Sequence, residues 1–177
     1  MTLPVFSQVT GQLSNRGAVI SIILVALGWS LLSGLLAFNG HQPSGPTLFA
    51  EQYQVQAWIL PIVLLTSWQL YAGLIWQKLI CQSKQISRAI WFAAAGRLLS
   101  IGYGLCWVLP DLIAFALGGF SMLGTIAPLL PIATTCVVCF LTTRFVNKHS
   151  SFSSGKVFCW VLTAWLVQAI PVLLLIR

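Results

Sequence analysis

Two cysteines inside an apolar stretch have the spacing of a redox motif. Cys136-Val-Val-Cys139 matches the C-x-x-C pattern of thiol oxidoreductases, some of which are embedded in membranes. No second cysteine pair stands in a neighbouring outer loop, and only Arg144 is close enough in sequence to favour a thiolate. Cysteines three residues apart also share a helix face as small apolar side chains. The sequence therefore favours packing over redox chemistry for this pair.

Arg97 is the ionisable residue that lies deepest within an apolar run. Arg97 lies nine residues after Arg88, which is about 13 Å along a helix. Gln69 lies nine residues before Lys78, at the other end of the same basic segment. The two side chains are expected at similar depth, where they can hydrogen-bond, with Ser100 and Gln168 as further polar candidates. A charge at this depth costs about 2.5 to 3.5 kcal/mol on insertion scales and needs partners.

Two interpretations of Arg97 follow. In the structural one, which we favour because no second intramembrane charge accompanies it, Arg97 is a hydrogen-bonded clamp between helices. In the functional one, Arg97 and Gln69 form a site for an anion or a lipid headgroup on the path of a lipid or small solute.

The remaining residues predict no catalytic set, cofactor site or metal site. His41 and His149 are expected on opposite sides of the membrane, so they cannot share an ion. The balance of nine basic to two acidic residues is explained by short cytoplasmic loops, and nucleic acid is not expected as a partner. We therefore expect a protein that is not an enzyme.

Composition defines the elements that position these residues. The chain has 177 residues, of which 58% are hydrophobic and 6% charged, with a mean hydropathy of +0.93. Soluble domains carry roughly a quarter charged residues, so a water-soluble fold is excluded. Because backbone groups in lipid must bond internally, the prediction is an all-α, polytopic transmembrane helix bundle that forms one domain over residues 1–177.

Loop charge decides how often the chain crosses. The apolar runs leave the stretch 112–145 ambiguous between one crossing and two. Six basic residues form two loops, one on each side of the region that holds the third span and this stretch: Lys78, Lys84, Arg88, Arg144, Lys148 and Lys156. The positive-inside rule puts both loops in the cytoplasm, so an even number of crossings separates them. The third span is one crossing, so this stretch supplies one more, and residues 112–121 are expected at the outer interface.

The predicted topology has five spans, a cytoplasmic N-terminus and an outer C-terminus. The first apolar run is too long for a signal-peptide core, so it is interpreted as a retained span. The third span carries Ala93-Ala-Ala-Gly96, whose small side chains permit close helix approach, and is expected at the centre of the bundle. The predicted spans are about 17–38, 55–77, 89–109, 122–143 and 157–176.

After residue 51, four segments follow one another in a distinctive order: Gln54-Val-Gln-Ala-Trp-Ile-Leu-Pro61, Val108-Leu-Pro-Asp111, Ser153-Ser-Gly-Lys156 and Ile176-Arg177. This order resembles the bacterial branch of the Yip family, the Ypt/Rab-interacting multi-span membrane proteins. The resemblance implies five spans with a cytoplasmic N-terminus. The vesicle-traffic role of eukaryotic members does not carry over, because their Asp-Leu-Tyr-Gly-Pro segment has no counterpart before Gly17.

The function expected from the sequence is that of a non-enzymatic protein of the bacterial inner membrane that acts through helix-mediated contacts or membrane organisation. Its expected partners are membrane lipids and either other membrane proteins or further copies of itself. The alternative is a binding or passage protein for a lipid or small anion that uses Arg97 and Gln69.

Overall fold

The computed structural model of the chain describes residues 15–38, 53–81, 85–117 and 129–176. Of these residues 92% are helical and none lies in a strand. The helices are α1 (Asn15–Phe38), α2 (Tyr53–Ile75), α3 (Arg88–Tyr103), α4 (Leu109–Leu117), α5 (Leu129–Asn147) and α6 (Ser154–Ile176). One π-helical turn, Trp76–Ile80, extends α2, and another, Gly104–Val108, joins α3 to α4. The continuous segment Arg88–Leu117 is called the long helix below.

The predicted all-helical class is confirmed for the described residues. Within the described residues, four helical segments are long and apolar enough to cross a bilayer: Arg16–Leu35, Ile59–Ile80, Arg88–Leu117 and Leu129–Asn147. The sixth helix, α6, has 23 residues and packs beside them.

The third predicted span, 89–109, is too short. The long helix continues through Pro110 to Leu117, so residues 112–117 extend this helix and do not begin a separate interfacial segment. Immediately before the proline the chain is wound more widely, and the Leu109 N–H bonds to the Gly104 carbonyl five residues back. Such local π winding lets a membrane helix pass a proline with its other backbone groups satisfied.

The fourth predicted span, 122–143, ends too early. Residues 118–128 lie outside the described part of the chain, and α5 runs on to Asn147. Val146 in this last turn is fully buried, and the N–H groups of Lys148 and His149 bond back to carbonyls of the final turn. The burial of Val146 and these backbone bonds continue the helix beyond residue 143, its predicted end.

The first helix and the long helix run parallel and in register. Paired residues stay 78 or 79 positions apart along about three turns. The pairs are Ser21 with Ser100, Trp29 with Trp107, and Ser33 with Asp111. A constant difference in residue number means that both helices advance in the same direction.

The other neighbours of the long helix run against it. For α2 the pairs are Trp68 with Gly96 and Ala72 with Trp91; for α5 they are Val138 with Gly102 and Phe145 with Trp91. In turn, α6 is antiparallel to α5, as the pairs Trp165 with Thr135 and Ser154 with Asn147 show. Hence α1, the long helix and α6 begin at the end of the bundle where α2 and α5 finish. This end is called the basic end, and the opposite one the far end.

Small residues let the long helix approach its neighbours closely. A Cβ added at Gly96 would lie 2.7 Å from the Cβ of Ala18 and 3.1 Å from Nε1 of Trp68. A Cβ at Gly102 would lie 3.0 Å from Trp165 and from Val138. The small face of α3 therefore contacts α1, α2, α5 and α6, in the central position that the sequence predicts for it.

Candidate functional site

Exposed cations gather at the basic end of the bundle. They are Arg16 at the start of α1 together with Lys78, Arg88, Arg144, Lys148 and Lys156. The last five belong to the predicted topology-setting set, whose sixth member, Lys84, lies outside the described residues. Because α1, the long helix and α6 begin where α2 and α5 end, helix direction brings these distant positions together.

Aromatic rings support four of these cations. Lys78 Nζ lies 5.5 Å from the ring centroid of Trp160, and the guanidinium of Arg88 lies 5.0 Å from that of Phe92. Equivalent contacts join Arg144 to Phe140 and Lys156 to Phe152. Each is worth about 0.5 to 1 kcal/mol at an exposed site. The basic end thus has an aromatic layer beneath its charges, as expected at a headgroup boundary.

Arg97 lies between this charged layer and the core. Its side chain is partly buried, and its Nη2 atom is 3.6 Å from the position that a Cβ would take at Gly17. A helical side chain leans toward the N-terminus of its helix, so the guanidinium is directed toward the basic end. Within the described residues, the Arg97 side chain has no hydrogen-bond, ion-pair or ring partner.

The structure does not bring Gln69 to Arg97. Gln69 is exposed on the outward face of α2, near Thr66, whose hydroxyl bonds to the Ile62 carbonyl of its own helix. The neighbouring residue, Trp68, is buried and bonds to the Phe92 carbonyl. Successive residues are rotated by about 100° around a helix axis, so Gln69 points away from the partner that Trp68 reaches. Similar depth does not imply a shared face.

Ser100 fastens α1 to the long helix one turn beyond Arg97. Its buried Oγ donates to the Gly96 carbonyl at 2.8 Å and lies 2.9 Å from Oγ of Ser21. Ser21 in turn bonds to the Ala18 carbonyl at 2.8 Å. These polar contacts stand beside the close approach of Gly96 to Ala18 and hold both hydroxyls inside the bundle.

Gln168 belongs to a different cluster, deeper in the bundle. The buried Tyr103 hydroxyl donates to Gln168 Oε1, and the Tyr103 ring stacks near that of Trp165. Tyr71 meets the edge of the same indole. We call Tyr71, Tyr103, Trp165 and Gln168 the aromatic–amide cluster.

Two further hydrogen bonds tie this cluster to α5. The Tyr71 hydroxyl donates to Thr142 Oγ1 at 2.8 Å, and the Trp165 indole N–H donates to Thr135 Oγ1 at 3.0 Å. The cluster therefore links α2, α3, α5 and α6 through side chains alone. Of the four sequence candidates, Arg97 and Ser100 lie in the α1–α3 region, Gln168 is in this cluster, and Gln69 faces outward.

Asp111 is a polar site that the sequence interpretation missed. It lies just beyond the third predicted span, 89–109, but it is 1% exposed within the long helix. Its Oδ2 accepts hydrogen bonds from Trp29 Nε1 at 3.1 Å and Ser33 Oγ at 3.2 Å. Trp29 also stacks on Trp107, with ring centroids 5.2 Å apart. The matching i, i+4 pairs Trp29/Ser33 and Trp107/Asp111 were the sequence signal, because each puts two such residues on one helix face.

The cysteine pair occupies two environments. All five cysteines are free, Cys139 is buried and Cys136 is exposed on the outward face of α5. The two thiols therefore differ in burial although they lie on the same helix.

His149 lies beyond α5 in the connection to α6 and is partly buried. Its ring centroid is 5.1 Å from that of Phe145. Burial, and then the charge of Lys148, lower the pKa of His149 below its ordinary value of 6.5. This group therefore resists protonation at the basic end.

No protein-family model, curated protein or solved structure matches the chain.

Proposed function

We propose that the chain is a five-span protein of a bacterial inner membrane, with a cytoplasmic N-terminus and an outer C-terminus. The alternating helix directions support this topology, because consecutive spans must run in opposite senses. The basic end supports the orientation, because cytoplasmic loops carry the excess of Lys and Arg. In this arrangement α6 is the fifth span. The order of segments that resembles the bacterial Yip branch supports the same topology.

The function that the geometry supports best is a non-enzymatic one, in which the protein acts through helix-mediated contacts or membrane organisation. The observation that carries it is that several interior polar side chains form hydrogen bonds between helices. Tyr71, Tyr103 and Gln168 tie helices together, as do Ser100 and Asp111 near the two ends. Side chains committed to such bonds stabilise a scaffold. Outer helix faces and the basic end are then the surfaces available to lipids, other membrane proteins or a second copy.

Crosslinking in intact membranes tests this function. A photo-crosslinking residue at Leu24, which is 63% exposed on α1, is expected to capture a second copy or a defined membrane protein. The matched control is the same residue at Leu64, which is fully buried in α2 and should give intramolecular products only. A similar probe at Ile62 samples an exposed face of α2, and one at Leu31 samples the same face of α1 two turns further along. Monomers alone at every exposed position would contradict the proposal.

The second candidate is a binding or passage protein for a lipid or small anion. The position of Arg97, partly buried and without a described protein partner, favours a binding role. Gln69 was proposed for the same polar cleft, but its outward orientation gives it no part in the Arg97 surroundings. Arg97→Gln should lower ligand binding or flux in reconstituted vesicles at unchanged folding yield. A variant that alters yield alone would remove this candidate.

A further inference from the structure

We infer that Arg97 binds the phosphate of an anionic phospholipid from the leaflet at the basic end, with an acyl chain lying along Ile101 and Leu105 of the long helix. This inference deepens the second candidate function and rests on it. It is independent of the contact function tested by crosslinking.

Among the described residues, no carboxylate lies near Arg97. The sequence has only two acidic residues, Glu51 and Asp111. Asp111 lies 14 positions further along the same helix, about 21 Å from Arg97 along its axis. Glu51 lies outside the described residues and precedes Tyr53, where α2 begins at the far end. A cation at this depth requires compensation, and Asp111, the one carboxylate among the described residues, is too far away to supply it.

The surroundings of Arg97 suit a phosphate. The neighbour across the helix interface is Gly17, which has no side chain, so the guanidinium meets open backbone there. Arg16, the next residue along α1, adds a second exposed cation at the same level. A guanidinium matches phosphate oxygens in a bidentate fashion, and cations near a membrane surface attract anionic lipids.

The outward face of the long helix continues this site with apolar surface. Ile101 and Leu105 follow Arg97 at intervals of four residues, so all three lie on one face. Ile101 is 53% exposed and Leu105 is 37% exposed. By the register of the two helices, the exposed Leu24 and Leu27 of α1 lie at a similar level. The protein thus offers a cation for the phosphate of a headgroup and, next to it, an apolar ridge for an acyl chain. A free anion would use the cation alone.

Thermal unfolding of the purified full chain in neutral detergent tests the site with three probes: phosphatidylglycerol, phosphatidylcholine and inorganic phosphate. Phosphatidylglycerol should raise the Tm and the other two should not. Arg97→Gln should weaken the response to phosphatidylglycerol about fivefold in half-saturating concentration, the effect of about 1 kcal/mol per cation. The matched control is Arg144→Gln, which removes an exposed basic-end arginine that lies over Phe140, and it should keep the response.

A second variant covers the case in which Arg97→Gln fails to fold. Gly17→Glu keeps Arg97 and places a carboxylate beside its guanidinium, so it should compete with the lipid phosphate and weaken the same response. Arg97→Lys should retain part of it.

The outcomes separate the proposals. Equal stabilisation of the wild type by inorganic phosphate, lost in Arg97→Gln, would overturn the lipid and keep the small-anion function. An unchanged response to phosphatidylglycerol in both Arg97→Gln and Gly17→Glu would overturn the site, and a wild type insensitive to both anions would overturn the site and the second candidate function together.

Discussion

The indole N–H of Trp29 donates a 3.1 Å hydrogen bond to the carboxylate of Asp111, 82 positions away in the chain. This bond joins α1 to the long helix near their far ends, while Ser21 and Ser100 join the same helices near the basic end. Two polar links at opposite ends set both the register and the parallel direction of the pair. Since both links are buried or partly buried, little water competes with them.

Removing the acceptor should therefore destabilise the bundle. Asp111→Ala leaves the Trp29 N–H and the Ser33 hydroxyl without this acceptor in an apolar region, and we expect a loss of about 1 to 3 kcal/mol in the free energy of unfolding. Asp111→Asn keeps an acceptor oxygen and should cost less. The measurement is reversible unfolding in mixed micelles, in a double-mutant cycle with Trp29→Phe. Additive effects of Asp111→Ala and Trp29→Phe would show that the two residues do not interact.

Close packing makes a second prediction at Gly96. Gly96→Ala puts a Cβ 2.7 Å from that of Ala18, so we expect destabilisation by about 1 to 3 kcal/mol, the usual range for overpacking. The matched control is Gly73→Ala, because a Cβ there meets nothing within 4 Å. Adding Ala18→Gly to Gly96→Ala should recover part of the loss. If Gly73→Ala were as costly as Gly96→Ala, the contact between Gly96 and Ala18 would not be the cause.

The two intramembrane glutamines should respond in opposite ways to the same substitution. Gln168→Leu removes the acceptor of the buried Tyr103 hydroxyl and should cost about 0.6 to 1.7 kcal/mol, from the average to the largest value found for such bonds in a membrane protein. Gln69→Leu replaces an outward polar side chain by an apolar one and should leave stability unchanged or raise it. Unfolding of both variants in the same micelles gives the comparison. A larger loss for Gln69→Leu would contradict the orientation of α2.

The sequence was sufficient for the properties that depend on composition and on single helices. Apolar content required helices, and small residues such as Gly96 indicated a central third span. The positions of span ends were less accurate, because they depend on local winding. Pro110 looks like a terminus in the sequence, but the π turn before it lets the helix continue.

The candidate site was harder to predict because it depends on which face each residue occupies. Arg97 and Gln69 were paired by depth, yet about 100° of rotation between Trp68 and Gln69 puts the glutamine outside. Asp111 was left outside the spans because the third span was predicted to end at residue 109. Its burial arises from donors on α1, a tertiary relationship that the local sequence does not reveal.

Stability should depend on the protonation of His149. Its folded-state pKa lies below 6.5 while the unfolded-state value stays near 6.5, so the unfolded chain binds more protons between these values. The contribution of neutral His149 to the free energy of unfolding is present above about pH 6.5. It is lost as the pH falls from there through the folded-state pKa. The Tm of the wild type should therefore fall more on acidification than that of His149→Gln. Parallel Tm profiles for the two proteins would show that His149 does not contribute.

Single-cysteine labelling should establish the number and direction of the crossings. In a background with the native cysteines replaced, a cysteine retained at Cys81 and one introduced by Ser151→Cys both lie exposed at the basic end. A membrane-impermeant maleimide should reach them only after the membrane is opened, because five spans with a cytoplasmic N-terminus put this end inside. Arg177→Cys should react in intact spheroplasts, since α6 then carries the chain across a fifth time. Protection of the residue 177 cysteine together with the other two would show that α6 does not cross, whereas reaction of the first two alone in intact spheroplasts would invert the orientation.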